Sequence, residues 1–431
     1  MRKKTSFSNV DVTMFRGNLL LWAQQFEEVL WLESNGHTDR YGSFDALLAV
    51  DALTSLETDY RNAFDALKEY QNQTGDWLFG YLSYDLKNDV EALCSRNHDG
   101  LGFSELYFFQ PKKIICIKGN TVEFQYLNMV DEEVETDFKE ISAIKPRAGR
   151  SKKNHPPKIK LRIFKDAYFE QVRKMLEHIH RGDLYEANFC QEFFAENTVI
   201  DALKTYEKLN DISRSPFATF MKHGNNYVLS ASPERYLKKQ GNTIISQPIK
   251  GTARRSRKRS EDRILKKRLE EDVKERAENI MIVDLVRNDL SKSALKGSVS
   301  VAELCKVYSF EQVHQMVSTV TAKVSESQDP VELLRETFPM GSMTGAPKVS
   351  AMKIIEALEA TKRGLYSGAV GYFTPENDFD FNVVIRSILY NKAKAFVSFS
   401  VGGAITAKAS PEEEYQECLL KAKAMRTVLE E

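Results

Sequence analysis

The sequence predicts an α+β fold built on antiparallel sheets, and three observations support this fold class. The chain has 431 residues with 42% hydrophobic and 10% aromatic residues, enough to bury a large core. Short runs with strand-like alternation recur along it. Helical segments interleave with these runs irregularly, without the strand–helix repeat that a parallel doubly wound sheet requires.

Residues 1–150 are predicted to form a first region that carries few chemical signals. A helical pattern covers Asp45–Tyr70, where apolar residues recur every three or four positions. Strand-like runs follow at Lys113–Ile117 and Val122–Tyr126. Across Ile144–Lys160 the composition turns to Lys, Arg, Gly and Asn with a Pro pair, which disfavours helix and strand and predicts a linker.

Residues 151–431 are predicted to form a second region. It opens with an amphipathic helix over Lys165–His180, which ends before Gly182. A long helical pattern covers about Ser260–Val286. Between these two helices, strand-like runs occupy Phe217–Met221, Tyr227–Ser230 and Thr243–Ile245.

Composition and charge exclude several classes of protein. With 61 basic and 61 acidic side chains the formal net charge is zero, which argues against a nucleic-acid or anionic membrane partner. The basic run Ala253–Arg259 leaves a nucleic-acid-binding module as a remote alternative, although the run lacks aromatic stacking residues. The apolar stretch Leu19–Ala23 is far shorter than the roughly 20 residues that cross a bilayer.

The cysteines and the N-terminus predict a cytoplasmic location. The five cysteines are scattered and never spaced as CxxC, which fits a reducing compartment. Polar residues, and not an apolar core, follow the basic Met1–Lys4, so no secretion signal is expected.

Lys250 is a candidate nucleophile. It lies in Pro248–Thr252, a tight turn from apolar residues to glycine. Burial there would lower the pKa of the lysine, and only a free amine can attack an electrophilic carbon. The alternative is a surface lysine before a turn glycine.

Several glutamates are candidate acids or metal ligands. Glu275 and Glu278 lie three residues apart in a helical segment, and Glu414 and Glu417 repeat this spacing, so each pair shares a helix face. Two such pairs could hold Mg²⁺, although solvated helix faces are the alternative. Glu234 follows a strand-like run and could project an acid into a cleft, unless it pairs with a cation such as the adjacent arginine.

The motifs around these residues occur in an order that resembles the chorismate-utilising enzymes. They are Ala231–Glu234, Glu275–Asn279, Gly341–Lys348, Gly402–Ala404 and Glu414–Glu417. Within this family, the chain is similar to the aminodeoxychorismate synthases because it carries Lys250. The anthranilate synthases usually carry a small residue at that position. The resemblance covers about residues 160–430. It implies two antiparallel β-sheets packed face to face with helices outside, as in anthranilate synthase component I.

The resemblance also implies roles for individual residues. Lys250 would attack C2 of chorismate while Glu234 protonates the departing C4 hydroxyl. Mg²⁺ would be held by Glu278 and Glu417, with Glu275 and Glu414 close by. Substrate would contact the side chains of Tyr372, Arg386 and Lys421 and the backbone amides of Gly251, Thr252, Gly402 and Gly403. Thr344 joins this set because residues 344–348 are predicted to open a helix, where free amides favour anions.

The function implied is amination of chorismate, in the transaminase class, to 4-amino-4-deoxychorismate for 4-aminobenzoate and folate synthesis. Ammonia would come from a separate glutamine amidotransferase subunit, because no cysteine lies in a Gly-x-Cys-x-Gly elbow. Anthranilate synthase component I is the alternative.

Glu186 stands where isochorismate synthases place a lysine and amino-transferring members usually a glutamine. This residue argues against isochorismate chemistry, and the role of Glu186 stays open. Only Trp31–Ser34 echoes the tryptophan-inhibition motif, so tryptophan feedback is not expected.

Overall fold

The computed structural model describes residues 1–37, 39–145 and 156–431, and its strands and helices alternate irregularly along the chain. The strands of the first part are β1 (Arg2–Ser8), β2 (Glu28–Glu33), β3 (Ala46–Thr58), β4 (Leu78–Leu82), β5 (Leu106–Lys118) and β6 (Thr121–Leu127). Those after residue 155 are β7 (Lys160–Leu161), β8 (Glu186–Ala195), β9 (Phe217–His223), β10 (Asn226–Ser232), β11 (Arg235–Gln240), β12 (Thr243–Gln247), β13 (Ile249–Arg254), β14 (Ser300–Ser309), β15 (Val313–Lys323), β16 (Gly345–Ala346), β17 (Ala369–Phe373), β18 (Phe379–Val383), β19 (Ser387–Asn391) and β20 (Phe396–Thr406).

Helices cover the outer faces of the sheets. They are α1 (Val12–Ala23), α2 (Ala63–Thr74), α3 (Lys87–Val90), α4 (Val134–Ala143), α5 (Lys165–Arg181), α6 (Ala202–Ser213), α7 (Arg259–Glu271), α8 (Val273–Ser291), α9 (Pro330–Thr337), α10 (Lys348–Leu358) and α11 (Pro411–Glu430). Short 3₁₀ turns add Tyr84–Leu86, Asp131–Glu133 and Gly341–Met343. The predicted α+β class is confirmed.

The antiparallel ladders form one continuous ribbon. Pairing runs from β8 through β20, β19, β10, β9, β2 and β3 to β5. From β5 it continues through β4, β17, β18, β11 and β12 to β15. The two predicted sheets are therefore two arms of one ribbon that meet at β5.

The two arms pack face to face. One cluster of buried side chains combines Leu30 and Val228 of the first arm with Phe79, Val370 and Phe381 of the second. A second cluster lies on the other face of the first arm, beneath α1, α6 and α11. Burial between the arms and under the helices is the main source of stability for such a layered fold.

Strands from both parts of the chain share these sheets. β2 pairs with β9, and β4 pairs with β17, so residues 28–82 are bonded to strands that follow residue 216. The predicted boundary between regions 1–150 and 151–431 lies outside the described residues, so this division stays a prediction. The predicted linker over Ile144–Lys160 also lies largely outside them, and β7 begins at its last residue.

Most predicted elements are confirmed, and two are wrong. The strand-like runs correspond to β5, β6, β9, β10 and β12, and the amphipathic helix is α5. The predicted helix over Asp45–Tyr70 is instead β3 followed by α2. Because β3 is paired on both sides, Ala46–Val50 is buried at every position, and such an apolar run does not distinguish strand from helix.

The predicted helix over Ser260–Val286 is divided into α7 and α8. The break falls at Asp272, whose backbone is extended (φ −66°, ψ 115°). The Asp272 carboxylate accepts a hydrogen bond from the backbone N–H of Glu275 at 3.0 Å, which caps the first turn of α8. A new helix therefore starts just before the first pair of glutamates.

All five cysteines are free thiols, and four of them are buried. Within the described ranges, no helix combines the length and apolar character that crossing a membrane requires.

Gly371 in β17 allows the close approach of the neighbouring strand β18, and it gives a first prediction. Gly371 lies opposite Gly80, and a Cβ on Gly371 would lie 2.8 Å from the Cα of Phe381. We expect Gly371→Ala to reduce the free energy of unfolding by about 1–3 kcal/mol, because backbone must shift to admit the methyl group. Urea unfolding monitored by circular dichroism measures this difference.

Gly17 in α1 is the matched control for this substitution. No atom lies within 4 Å of a Cβ at Gly17, so Gly17→Ala should leave stability unchanged or raise it by about 0.5–1 kcal/mol. Equal midpoints for Gly371→Ala and the unsubstituted protein would show that the strands are not closely packed here.

Candidate active site

Lys250 lies on β13 with its amine in a nearly enclosed position. Its side chain is 14% exposed, and Nζ lies 3.1 Å from Oε1 of Glu186, the first residue of β8. Glu278 of α8 and Glu234 also act on its charge. Strands β8 and β13, the segment before β11 and helix α8 thus converge on this amine.

The environment of Lys250 favours its charged form. Burial alone would lower the pKa of the amine, as the sequence predicted. The carboxylates of Glu186, Glu278 and Glu234 outweigh burial, and the pKa of Lys250 is raised above its usual value. The expected depression of this pKa is therefore wrong for the protein without substrate, and Lys250 must lose a proton before it can act as a nucleophile.

Glu234 is a buried carboxyl group suited to donate a proton. Burial raises its pKa to about 7, against the opposing effects of a hydrogen bond from Ser342 and the charge of Lys250. It does not pair with the adjacent Arg235, which binds Asp380 at 2.9 Å and a second aspartate instead. Near neutral pH, a substantial fraction of Glu234 carries the proton that a general acid needs.

The four glutamates of the two helical pairs face one another across the same cleft. Burial raises the pKa of both Glu278 and Glu414 to about 7, and the negative charge of Glu278 adds to the shift at Glu414. Burial also raises the pKa of Glu275, with a further contribution from Glu417. Helices α8 and α11 thus place both carboxylate pairs together, as their spacing indicated.

Lysines supply the countercharges in this cluster. Burial acts to raise the pKa of Glu417, but Lys421, at 2.6 Å, and Lys274 overcome it, and the pKa is lowered. Lys274 also lies 3.9 Å from Glu278. Among the described residues, no three His, Cys, Asp or Glu side chains converge in metal-binding geometry. A bound cation would require the glutamate side chains to turn towards one another.

Two predicted glycines bring backbone against these carboxylates. Gly251 has a left-handed backbone (φ 87°), and a Cβ there would lie 3.1 Å from Oε2 of Glu275. A Cβ on Gly403 would lie 2.9 Å from Oε2 of Glu414. The carbonyl of Gly402 accepts a hydrogen bond from Nζ of Lys421 at 2.8 Å. The glycines therefore line the carboxylate cluster.

Arg386 presents a half-buried guanidinium that lacks an acidic partner among the residues that the structure describes. Its backbone is left-handed (φ 53°), and Nη1 donates to the carbonyl of Lys421 at 3.4 Å. Burial lowers its pKa, while Tyr366 and Glu417 act in the opposite direction. No carboxylate in the described ranges forms an ion pair with it. Such a group is well suited to bind a substrate carboxylate.

Tyr372 does not lie with the other predicted substrate-binding residues. Its ring packs 5.5 Å from that of Trp77 and 5.7 Å from that of Phe79. It borders a separate cavity of about 300 Å³, which is also lined by Glu33 and Ser34 of the segment that echoes the tryptophan-inhibition motif. The assignment of Tyr372 to substrate binding is wrong, because the alternation of β17 directs its side chain to this cavity.

Two further predicted residues take backbone roles or face outward. The hydroxyl of Thr344 is buried and donates to the carbonyl of Gly341 at 3.2 Å, which stabilises the turn before α10. Thr252 is exposed and pairs with Gln315 of β15. Only its backbone amide remains as a candidate contact, which is how the sequence placed it.

Sequence reasoning missed two residues of this site. Ser342 hydrogen-bonds to Glu234 and lies within the Gly341–Lys348 motif, so its hydroxyl was a visible signal. Tyr366 lies near Arg386, with its hydroxyl 3.9 Å from the sulfur of Cys190, but no local pattern marks it.

The basic run that suggested nucleic-acid binding is engaged within the protein. Arg255 binds Asp262 at 2.9 Å, and Arg254 lies 3.4 Å from Glu261. His314 approaches the same aspartate at 3.0 Å. These contacts favour a solvated loop and helix face over a nucleic-acid-binding module.

Comparison with known proteins agrees with this arrangement. Residues 27–427 match the family described as chorismate binding enzyme. The chain is 35% identical, over 84% of its length, to a probable chloroplastic aminodeoxychorismate synthase of Oryza sativa subsp. japonica, of which the match covers 45%. It is 33% identical, over 83%, to an anthranilate synthase component I-like protein of Synechocystis sp., covering 73% of that protein. The chain thus spans about half the length of the rice relative.

A further relative and a solved structure are also similar to this chain. Aminodeoxychorismate synthase component 1 of Escherichia coli K12 is 40% identical over 62% of this chain and 58% of that protein. Anthranilate synthase component I from Streptococcus pneumoniae TIGR4 superposes with a TM-score of 0.78 at 24% identity, covering 91% of this chain and 94% of that one. The family match over most of the sequence establishes that the chain belongs to the chorismate binding enzyme family, and the superposition shows that it shares the fold.

Proposed function

We propose that this chain is an aminodeoxychorismate synthase component I, which converts chorismate and ammonia to 4-amino-4-deoxychorismate. The observation that carries this proposal is the enclosed amine of Lys250, held between Glu186, Glu234 and Glu278. Relatives carry both aminodeoxychorismate synthase and anthranilate synthase names. A nucleophilic lysine favours the first, because it can form a temporary bond at one ring carbon and direct ammonia to another.

Substrate binding follows from the charges of the cleft. Chorismate has two carboxylates, and the unpaired guanidinium of Arg386 can bind one of them through two parallel hydrogen bonds. Lys421 and the backbone around Gly402 and Gly403 lie beside it. These contacts would orient the ring with its reacting edge toward Lys250 and Glu234.

The reaction is a substitution in two stages. The Nζ of Lys250 forms a bond to C2, the two ring double bonds shift, and the C4–O bond breaks. Glu234 gives its proton to the leaving oxygen, which departs as water. Ammonia then bonds to C4, the double bonds shift back, and the C2–N bond breaks to release Lys250 as an amine. The new C4 ammonium gives one proton to the Glu234 carboxylate, which restores the acid.

The cluster of Glu275, Glu278, Glu414 and Glu417 offers the carboxylate oxygens that a hard divalent cation such as Mg²⁺ prefers, once the side chains turn towards one another. These residues would hold the ion, and its charge would offset the repulsion among them. When bound, the cation would supply a positive centre for a substrate carboxylate. Lys274 and Lys421 supply part of that charge themselves.

A separate glutamine amidotransferase subunit is the proposed source of ammonia, with the product directed to 4-aminobenzoate and folate. The bacterial relatives are named component 1, which supports a chain that works with a second component. The cytoplasmic location stays a prediction.

Product identification tests the proposed function directly. With chorismate, Mg²⁺ and an ammonium salt, we expect 4-amino-4-deoxychorismate, identified by mass and by conversion to 4-aminobenzoate with the downstream lyase. Lys250→Ala should reduce its formation by at least about 100-fold, because the nucleophile is removed. Lys267→Ala, on the exposed side of α7, is the matched control and should retain full activity. Anthranilate as the product would show that the chain is an anthranilate synthase.

The pKa of Glu234 predicts the pH dependence of the reaction. Burial raises this pKa to about 7, so the protonated acid prevails below that pH and is lost above it. We expect kcat/KM with saturating ammonia to fall tenfold per pH unit well above pH 7, and Glu234→Gln to be inactive throughout. Steady-state rates at constant free-ammonia concentration measure the profile. A rate that rises across this range would exclude Glu234 as the acid.

Metal dependence tests the carboxylate cluster. We expect a chelator to abolish activity and added Mg²⁺ to restore it. Glu278→Gln should increase the Mg²⁺ concentration needed for half-maximal activity by about tenfold, since one charged ligand is lost. Glu271→Gln, an exposed residue on α7, is the control and should not change it. Full activity in the chelator would contradict a role for the ion.

A further inference from the structure

The sequence left the role of Glu186 open, and the structure holds this residue rigidly. It is the first residue of β8, and it pairs with Ala346 of β16 on one side and Thr406 of β20 on the other. The residue is 1% exposed. Ladders on both sides of a strand fix the direction of its side chains, so this carboxylate cannot turn away into solvent.

The two oxygens of Glu186 have different surroundings. Oε1 lies 3.1 Å from Nζ of Lys250. Oε2 is buried and has no hydrogen-bond partner in the described part of the chain. A buried acceptor without a partner is unfavourable, so the fold retains it at a loss of stability. This oxygen is available to accept a proton or a hydrogen bond that substrate or ammonia brings.

The other carboxylates near Lys250 are less suited to take its proton. Glu234 hydrogen-bonds to Ser342 and has its own role as the acid. Glu278 faces Lys274 and the carboxylate cluster. Within residues 1–37, 39–145 and 156–431, Glu186 is the one carboxylate within ion-pair distance of the Lys250 amine.

We propose that Glu186 is the general base of this enzyme, taking a proton from the Lys250 ammonium so that the amine can attack. The inference rests on the proposed function. The proton moves from Nζ to a carboxylate oxygen of Glu186, and the freed electron pair forms the bond to C2. After ammonia displaces the lysine, Glu186 returns the proton to the released amine, so the base is regenerated and no other reactant is needed.

The chemistry of the side chain is specific to this role. A glutamine at this position could accept a hydrogen bond from Lys250 but could not hold its proton. The carboxylate of this chain therefore adds a catalytic capacity that the amide lacks, while a Glu186→Gln substitution preserves the shape and the contact.

Formation of the Lys250 adduct without ammonia tests this role separately from the complete reaction. The full chain is mixed with chorismate and Mg²⁺, quenched rapidly in acid and examined by intact mass for addition of chorismate minus water. We expect Glu186→Gln to slow adduct formation by about 100-fold or more, in keeping with loss of a general base. Equilibrium dialysis with chorismate, measured in the Lys250→Ala background, should show unchanged affinity.

Chemical rescue distinguishes a base from a positioning residue. Formate should accelerate adduct formation in Glu186→Ala in proportion to its concentration, because it can occupy the space and accept the proton. Formate should not accelerate the reaction of Glu186→Gln. The proposal is overturned if Glu186→Gln forms the adduct at the unsubstituted rate, or if both variants are slow and formate has no effect.

The same experiment separates failure of this inference from failure of the proposed function. If the unsubstituted chain forms no adduct and yields no 4-amino-4-deoxychorismate with ammonium, the proposed function is wrong and the inference fails with it. If the unsubstituted chain forms both and the Glu186 variants match it, the function stands and Glu186 is not the base.

Discussion

Continuous antiparallel pairing through β5 is the constraint on which the rest of the structure depends. This strand is 13 residues long, and it pairs with β3 along its length, with β4 at its first residues and with β6 at its last. The ribbon can therefore double back without a break in hydrogen bonding. The two arms then enclose a common core, and their far ends, β8 and β13 to β15, are brought to the cleft that holds Lys250 and Glu186.

The cleft reduces the stability of the fold, because charged side chains are removed from water there. Six carboxylates with few protein donors, together with the lysines among them, are partly or wholly withdrawn from water, and burial is the largest influence on the pKa of most of the carboxylates. Such crowding is stable only because the surrounding sheets are well packed. An anionic substrate would find Arg386 and Lys421 already in place, which is the advantage of a preorganised site, whereas a cation would first require the glutamates to turn towards one another.

Sequence reasoning succeeded where the signal is local. The alternation of β9 and β10, the amphipathic face of α5 and the three-residue spacing of Glu275 and Glu278 each involve neighbouring residues, and the structure agrees with them. It failed where the answer depends on distant partners. The apolar run of β3 suits a helix equally well until two neighbouring strands bury it. The burial of Lys250 was readable from its turn, but the raised pKa comes from carboxylates on other elements. Tyr372 was misplaced because the face of a strand is set by its register with neighbours.

The interruption between α7 and α8 has an electrostatic consequence for the cleft. A single helix through Asp272 would carry Glu275 and Glu278 in its middle, where the backbone N–H groups are already bonded. The break instead places them in the first two turns of α8, and Glu414 and Glu417 also lie in the first two turns of α11, one residue further from the N-cap. Each helix begins with unbonded N–H groups and the positive end of its peptide dipole. Two such ends converge on the cleft, so the backbone itself contributes positive potential where the acidic side chains are concentrated.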